Sequence, residues 1–208
     1  MYNKMICVTI LMLLGMSAGG SVLIDQSQTN STFTADLSSS GTSGQTFTAG
    51  MDGQLIGIRL KIAGYGHING PYGSDFRVDL HQVSVSNVVN PQVLVSGTRQ
   101  KTGILDLQLE WFEVMFDSPY QQTKGQKLAF TILGLSGGGA SGWNQYGMLS
   151  GNPYTGGQWF GSYTTSPLTA ATTDFAFETI LIPEPTTMLL LAIGWIGFRK
   201  NTYRELSR

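Results

Sequence analysis

Between Gly134 and Tyr163 the aromatic residues Trp143, Tyr146, Tyr154, Trp159, Phe160 and Tyr163 are set among glycines, with Asn144, Gln145, Asn152 and Gln158 beside them. Aromatic rings presented on a rigid scaffold stack on the apolar faces of sugars, and neighbouring amides can bond hydroxyls. Trp143, Tyr146, Tyr154, Trp159 and Tyr163 are therefore the candidate carbohydrate-binding residues. The competing reading, that these rings cover a sheet edge and fill the core beneath Gly-rich loops, weighs more.

Asp52, Asp75, Asp79, Asp117 and Asp174 are candidate oxygen ligands for calcium, which pins loops in many exported domains. None falls in a dense alternating array. Asp75 and Asp79 share a strand face with Arg77, so a solvated charge ladder accounts for them. Without such an array no cofactor is expected, and calcium is the one exception kept open. His67 and His81 are the only histidines and stand too far apart for a metal motif. Gly134-Leu135-Ser136-Gly137-Gly138 has the Gly-x-Ser-x-Gly spacing, but no helical period follows it, so no nucleophile elbow is expected. Glu110 and Glu113 fall on opposite faces of a strand-like run, so they cannot converge as a glycosidase pair without a bulge. A non-enzymatic protein is expected, and catalytic residues are not assigned.

These side chains need strands to hold them. Charged residues are only 12 % of the 208-residue chain and glycines number 27, a composition suited to a turn-rich β-protein. Apolar residues alternate with polar or small ones at 56–62, 76–81, 105–110, 112–116, 128–132 and 174–178. Asp52-Gly53, Asn69-Gly70-Pro71, Asn90-Pro91, Ser118-Pro119, Lys124-Gly125 and Gly151-Asn152-Pro153 supply turns. Glycine and serine between Ser38 and Gly44 mark a loop. The pattern predicts an all-β, jelly-roll-like antiparallel β-sandwich of eight or nine strands over residues 21–182. Three segments resemble a common secreted jelly-roll module: Gln45-Thr46-Phe47-Thr48-Ala49-Gly50 leading into Leu55-Ile56-Gly57-Ile58, Asn152-Pro153-Tyr154-Thr155-Gly156-Gly157, and Asp174-Phe175-Ala176-Phe177-Glu178-Thr179. That resemblance speaks to fold and hardly to function.

The two ends read as processing segments. Lys4, the apolar run Met5–Met16 and the small residues Ser17-Ala18-Gly19-Gly20-Ser21 have the three-part build of a secretory signal peptide, assigned to residues 1–20. Cys7, the only cysteine, lies in that leader, so the mature chain is expected to carry no disulfide. At the other end, residues 183–208 begin with Pro183-Glu184-Pro185. An apolar run follows over residues 188–198, with Met188, Leu189, Leu190, Leu191, Trp195 and Phe198 as its large side chains, and Arg199 and Lys200 close it. As a helix this run spans about 16 Å against a hydrocarbon core of about 30 Å, a short transmembrane anchor. The basic residues after it favour a cytoplasmic tail.

Pro183-Glu184-Pro185, the Gly194- and Gly197-containing apolar stretch and the Arg199-Lys200 stop resemble the PEP-CTERM sorting signal of Gram-negative bacteria. The resemblance covers about the last 26 residues. It implies recognition by an exosortase, a membrane-embedded cysteine protease of transpeptidase type, and removal of the tail near the motif. The expected route is export, anchoring in the inner membrane, and then release to the cell surface or extracellular matrix. The net charge of −1 argues against nucleic acid as a partner. The expected partners are an exosortase, the inner membrane before processing, and polysaccharide. The leading role is structural or interactive, in the envelope or exopolysaccharide matrix. A carbohydrate-binding adhesin is the alternative, and a polysaccharide-active enzyme ranks last.

Overall fold

The computed structural model describes residues 21–37, 42–65, 75–100, 108–135, 143–161, 167–168 and 171–184, and for Tyr65 and Trp143 the backbone alone. The leader 1–20, the anchor 188–198, Pro185, Arg199, Lys200, His67 and Tyr163 lie outside the described residues. Residues Leu23–Leu181 form one compact unit. No described helix is long and apolar enough to cross a membrane.

The described chain is all β. Its strands are β1 (Leu23–Gln28), β2 (Phe33–Asp36), β3 (Ser43–Thr48), β4 (Gly53–Tyr65), β5 (Phe76–Val83), β6 (Val89–Arg99), β7 (Glu110–Gln122), β8 (Lys127–Gly134), β9 (Trp143–Ser150), β10 (Trp159–Phe160), β11 (Thr173–Phe175) and β12 (Phe177–Pro183). These twelve exceed the eight or nine expected, because β2, β10 and β11 are too short to show a period of two. One sheet has the order β1-β12-β4-β9-β11, with β7 also on β4 and β2 on β9; the other has the order β10-β3-β8-β5-β6. The registered pairings are antiparallel.

The alternation read from the sequence sets the inner faces. Phe76, Val78 and Leu80 of β5 and Leu128, Phe130 and Ile132 of β8 meet Ile58, Leu60 and Ile62 of β4 and Phe112, Val114 and Phe116 of β7 in one buried cluster. Aromatic pairs join the sheets at its centre. The Phe130 ring stands 5.6 Å from Phe175 and 5.3 Å from Phe177, and Phe47 stands 6.5 Å from Phe177. Such tilted pairs add roughly 0.5–1.5 kcal/mol each beyond the burial of their area. The two sheets packed on this core make a β-sandwich.

Two features depart from simple alternation. In β4 the pairing with β7 shifts between Leu55 and Gly57, which turns Leu55 into the core and leaves Ile56 half-buried. A bulge resets the side-chain phase in this way. The outer face of the five-stranded sheet is also covered, by a second cluster of Val83, Val89, Ala129 and Phe160 with Leu168 against it. Asp79, His81 and Thr131 on that face are buried in consequence.

Candidate functional site

The three segments that resemble a jelly-roll module converge on one carboxylate. Asp174 of β11 is fully buried. Its Oδ1 accepts the Gln45 Nε2 at 2.7 Å, and its Oδ2 accepts the backbone N–H of Tyr154 at 2.9 Å. The Asn152 side chain, nitrogen toward the carboxylate, lies 3.2 Å from Oδ2. Asn152 holds a left-handed backbone at φ 50°, a conformation that Asn tolerates in tight turns. Gln45 is buried too, and its Oε1 accepts the N–H of Phe175 at 3.1 Å. Burial pushes the Asp174 carboxyl above its ordinary range, opposed by the hydrogen bonds from Tyr154 and Gln45.

This knot carries the loop 151–158 back across β3. Thr48 Oγ1 donates to the Gly156 carbonyl at 2.9 Å, the Gln158 N–H donates to Thr46 Oγ1 at 2.8 Å, and the Thr46 N–H donates to the Gln158 carbonyl at 2.9 Å. Gly157 is required for that approach, since a Cβ there would stand 1.8 Å from the Thr46 carbonyl oxygen. Beneath the loop is a pocket of about 220 Å³. Its lining includes Thr46, Thr48, Asn87, Lys127, Thr155 and Gln158. Hydroxyls, amides and one ammonium group make it a polar site, smaller than the roughly 300–1,000 Å³ of sites for drug-sized ligands.

The aromatic candidates do not share one surface. Tyr146 of β9 is 3 % exposed, its ring stacked 4.3 Å from Phe175 and its hydroxyl 3.0 Å from Ser43 Oγ. Tyr154 is 8 % exposed, edge-on to Phe177 at 5.1 Å, with its hydroxyl donating to Gln26 Oε1 at 2.8 Å. Burial raises the pKa of both phenols. Neither ring offers a free face to a sugar, because both fill the core. Trp159 is half-buried against that core, and its six-membered ring lies over Gly161. The Trp143 side chain and Tyr163 are outside the described residues. The aromatic stretch contains β9, for which the sequence showed no alternation and which pairs with β2, β4 and β11. Its run Trp-Asn-Gln-Tyr-Gly-Met carries too few apolar residues for the alternation to stand out.

The five aspartates do not gather. Asp52 Oδ1 accepts the Lys124 N–H, and Asp79 bonds Arg77 and Ser96 Oγ. Asp75 starts the approach to β5, Asp117 is exposed on β7, and Asp174 sits in the knot. Among the described residues no three His, Cys, Asp or Glu side chains come together as a metal site. Glu113 pairs with Arg59, which also reaches Glu178 at 2.9 Å, a cross-strand ladder on the outer face of the seven-stranded sheet. Glu110 opens β7 on the other face.

Sequence reasoning named Gln158 and missed the rest of the pocket lining. Asn87, Lys127 and the loop 155–158 come from separated parts of the chain, and nothing in their local sequence marks them as neighbours. The signal that was available lay in the Gln45, Asn152 and Asp174 segments, whose joint occurrence fits the knot they form. The chain matches no protein-family model and no curated protein sequence.

Proposed function

We propose that this chain is an exported surface or matrix protein of a Gram-negative bacterium, with a jelly-roll-like sandwich carried between a cleaved leader and a PEP-CTERM-like tail that an exosortase removes. Its role is structural or interactive rather than enzymatic. The observation that carries this reading is the conjunction of Pro183-Glu184-Pro185, the apolar run 188–198 and the Arg199-Lys200 stop with a secretory leader at the other end. The position of the motif supports it. β12 runs to Pro183, and Glu184 follows outside any strand. A proline cannot donate to the ladder, so the strand ends where the motif starts. A protease that needs extended backbone would meet the chain directly after the last strand. Replacing Pro183, Glu184 and Pro185 by alanine should leave the protein in the membrane fraction of exosortase-positive cells. Wild-type release by that variant would sink the reading.

The polar pocket favours a second reading, a carbohydrate-binding adhesin. It lies under the Gly-rich loop, and its hydroxyl, amide and ammonium groups suit a single sugar unit. The binding group would then be Lys127, Asn87, Thr155 and Gln158 rather than stacked tyrosines. Glycan-array binding that Lys127→Ala abolishes, with unchanged melting temperature, supports this reading. No glycan binding by the folded protein refutes it.

A further inference from the structure

Among the described residues that line the pocket under the loop 155–158, one is charged, and it is a lysine. The register of β3 against β8 explains its place. Phe47 stands opposite Leu128, and Thr48 stands opposite Lys127. Phe47 and Leu128 are fully buried in the core. Side chains alternate along a strand, so Thr46, Thr48 and Lys127 share the other face, toward the loop. Directly opposed residues have Cβ atoms about 4.5–5.5 Å apart, which sets the base of the Lys127 side chain beside Thr48. β8 lies between β3 and β5, so Lys127 does not guard a sheet edge against pairing.

The polar groups of the lining fall into two sets. The hydroxyls of Thr46 and Thr48 are taken up in holding the loop, through Gln158 and the Gly156 carbonyl. Lys127 and Thr155 are exposed, and the ion pairs among the described residues belong to Arg59 and Arg77. Asn87 is held by its backbone at φ 61°, with its N–H on the Ser84 carbonyl at 2.9 Å and its carbonyl accepting the Leu168 N–H at 3.0 Å. Its Nδ2 reaches the Leu168 carbonyl at 3.5 Å, which leaves Oδ1 as the acceptor of that side chain. Asn87, Lys127 and Thr155 line one cavity of about 220 Å³.

The charge of this lining selects among sugars. A neutral sugar would use the hydroxyl and the amide and leave the ammonium to water. A phosphate monoester carries about −1.5 to −2 charges at pH 7, more than one ammonium matches. A carboxylate carries one charge and accepts from an ammonium and a hydroxyl together. We propose that the pocket binds a hexuronate unit of an acidic polysaccharide, its carboxylate on the Lys127 ammonium and the Thr155 hydroxyl and a ring hydroxyl on Asn87 Oδ1. The inference rests on the carbohydrate-binding reading of the pocket and adds the charge of the sugar to it.

The test is an NMR titration of the purified mature protein with galacturonate, glucuronate, galactose, glucose and acetate, read at the amides of Gly156 and Gly157. The uronates should bind about fivefold tighter than the neutral sugars at low salt, the worth of one exposed charge pair. That preference should shrink in about 1 M salt, where the Debye length is about 3 Å. Lys127→Gln should bring the uronates down to the level of the neutral sugars, with an unchanged melting temperature. Should that variant fail to fold, the salt dependence of the wild-type preference decides. Equal binding of uronates and neutral sugars would overturn this proposal and leave the carbohydrate-binding reading standing. No binding of any sugar would overturn both. Acetate that binds as tightly as the uronates would show a plain anion site and overturn the proposal. A uronate preference that survives Lys127→Gln, or that ignores salt, would overturn it as well.

Discussion

Gln45 and Asp174 hold the two sheets together through a polar contact inside an apolar core: the Gln45 amide donates to the Asp174 carboxylate at 2.7 Å and accepts the N–H of Phe175 at 3.1 Å. Gln45 belongs to the five-stranded sheet and Asp174 to the seven-stranded one. Gln45→Leu keeps the volume and removes both bonds. It leaves the buried N–H of Phe175 without a partner and Asp174 Oδ1 with only the Asn152 amide at 3.3 Å, at about 1–3 kcal/mol for each bond lost. Chemical denaturation should show a loss of about 3–5 kcal/mol in total. A loss under about 1 kcal/mol would show that water replaces the amide.

Tyr146 and Tyr154 separate core filling from ligand binding. Tyr146→Ala removes a ring stacked on Phe175 and should destabilise the domain by about 3–5 kcal/mol. Tyr146→Phe loses only the bond to Ser43 and should cost about 1 kcal/mol. Trp111, 36 % exposed beside Lys61, should tolerate alanine at about 0.5 kcal/mol or less. Equal urea midpoints for Tyr146→Ala and Trp111→Ala would contradict the placement of Tyr146.

The sandwich was legible wherever a strand buries one face and shows the other to solvent. The runs of β5, β8 and the second half of β4 read directly because their inward residues are all large and apolar. The reading failed where that condition lapses. β3 buries Gly44, Gln45 and Thr46 as well as Phe47, since Phe160 covers its outer side, so its alternation disappears. β9 is polar: its Asn144 is buried, and its Gln145 donates to Asp36 at 2.8 Å. The candidate site suffered most. A pocket built from β3, β8, the β5–β6 turn and the loop 155–158 depends on long-range closure, which no local pattern encodes.

His81 gives the domain a pH dependence. Its Nδ1 faces the Gln92 carbonyl at 3.2 Å and its Nε2 faces Thr131 Oγ1 at 3.1 Å. A carbonyl only accepts, so the proton sits on Nδ1 and Nε2 takes the threonine hydroxyl. Burial lowers the His81 pKa below 6.5, against the raising influence of the Gln92 carbonyl and of Asp79. Above pH 6.5 the ring is neutral in both states and its contribution is whole. As the pH falls below that value the unfolded chain takes up a proton that the folded chain refuses, and stability drops toward the folded pKa. Melting temperatures measured from pH 7.5 downward, within about two units, should fall more steeply for wild type than for His81→Gln. Parallel curves would remove His81 as the cause.

The proposed sorting to the cell surface is tested by intact-mass spectrometry of the mature protein from membrane and surface fractions, in cells with and without an exosortase. The expected result is a surface species that begins after the leader, near residues 19–21, and ends near Pro183-Glu184-Pro185, and that disappears when the exosortase is absent. A C-terminus at Arg208 in both backgrounds would contradict the claim and leave a membrane-anchored periplasmic sandwich in its place.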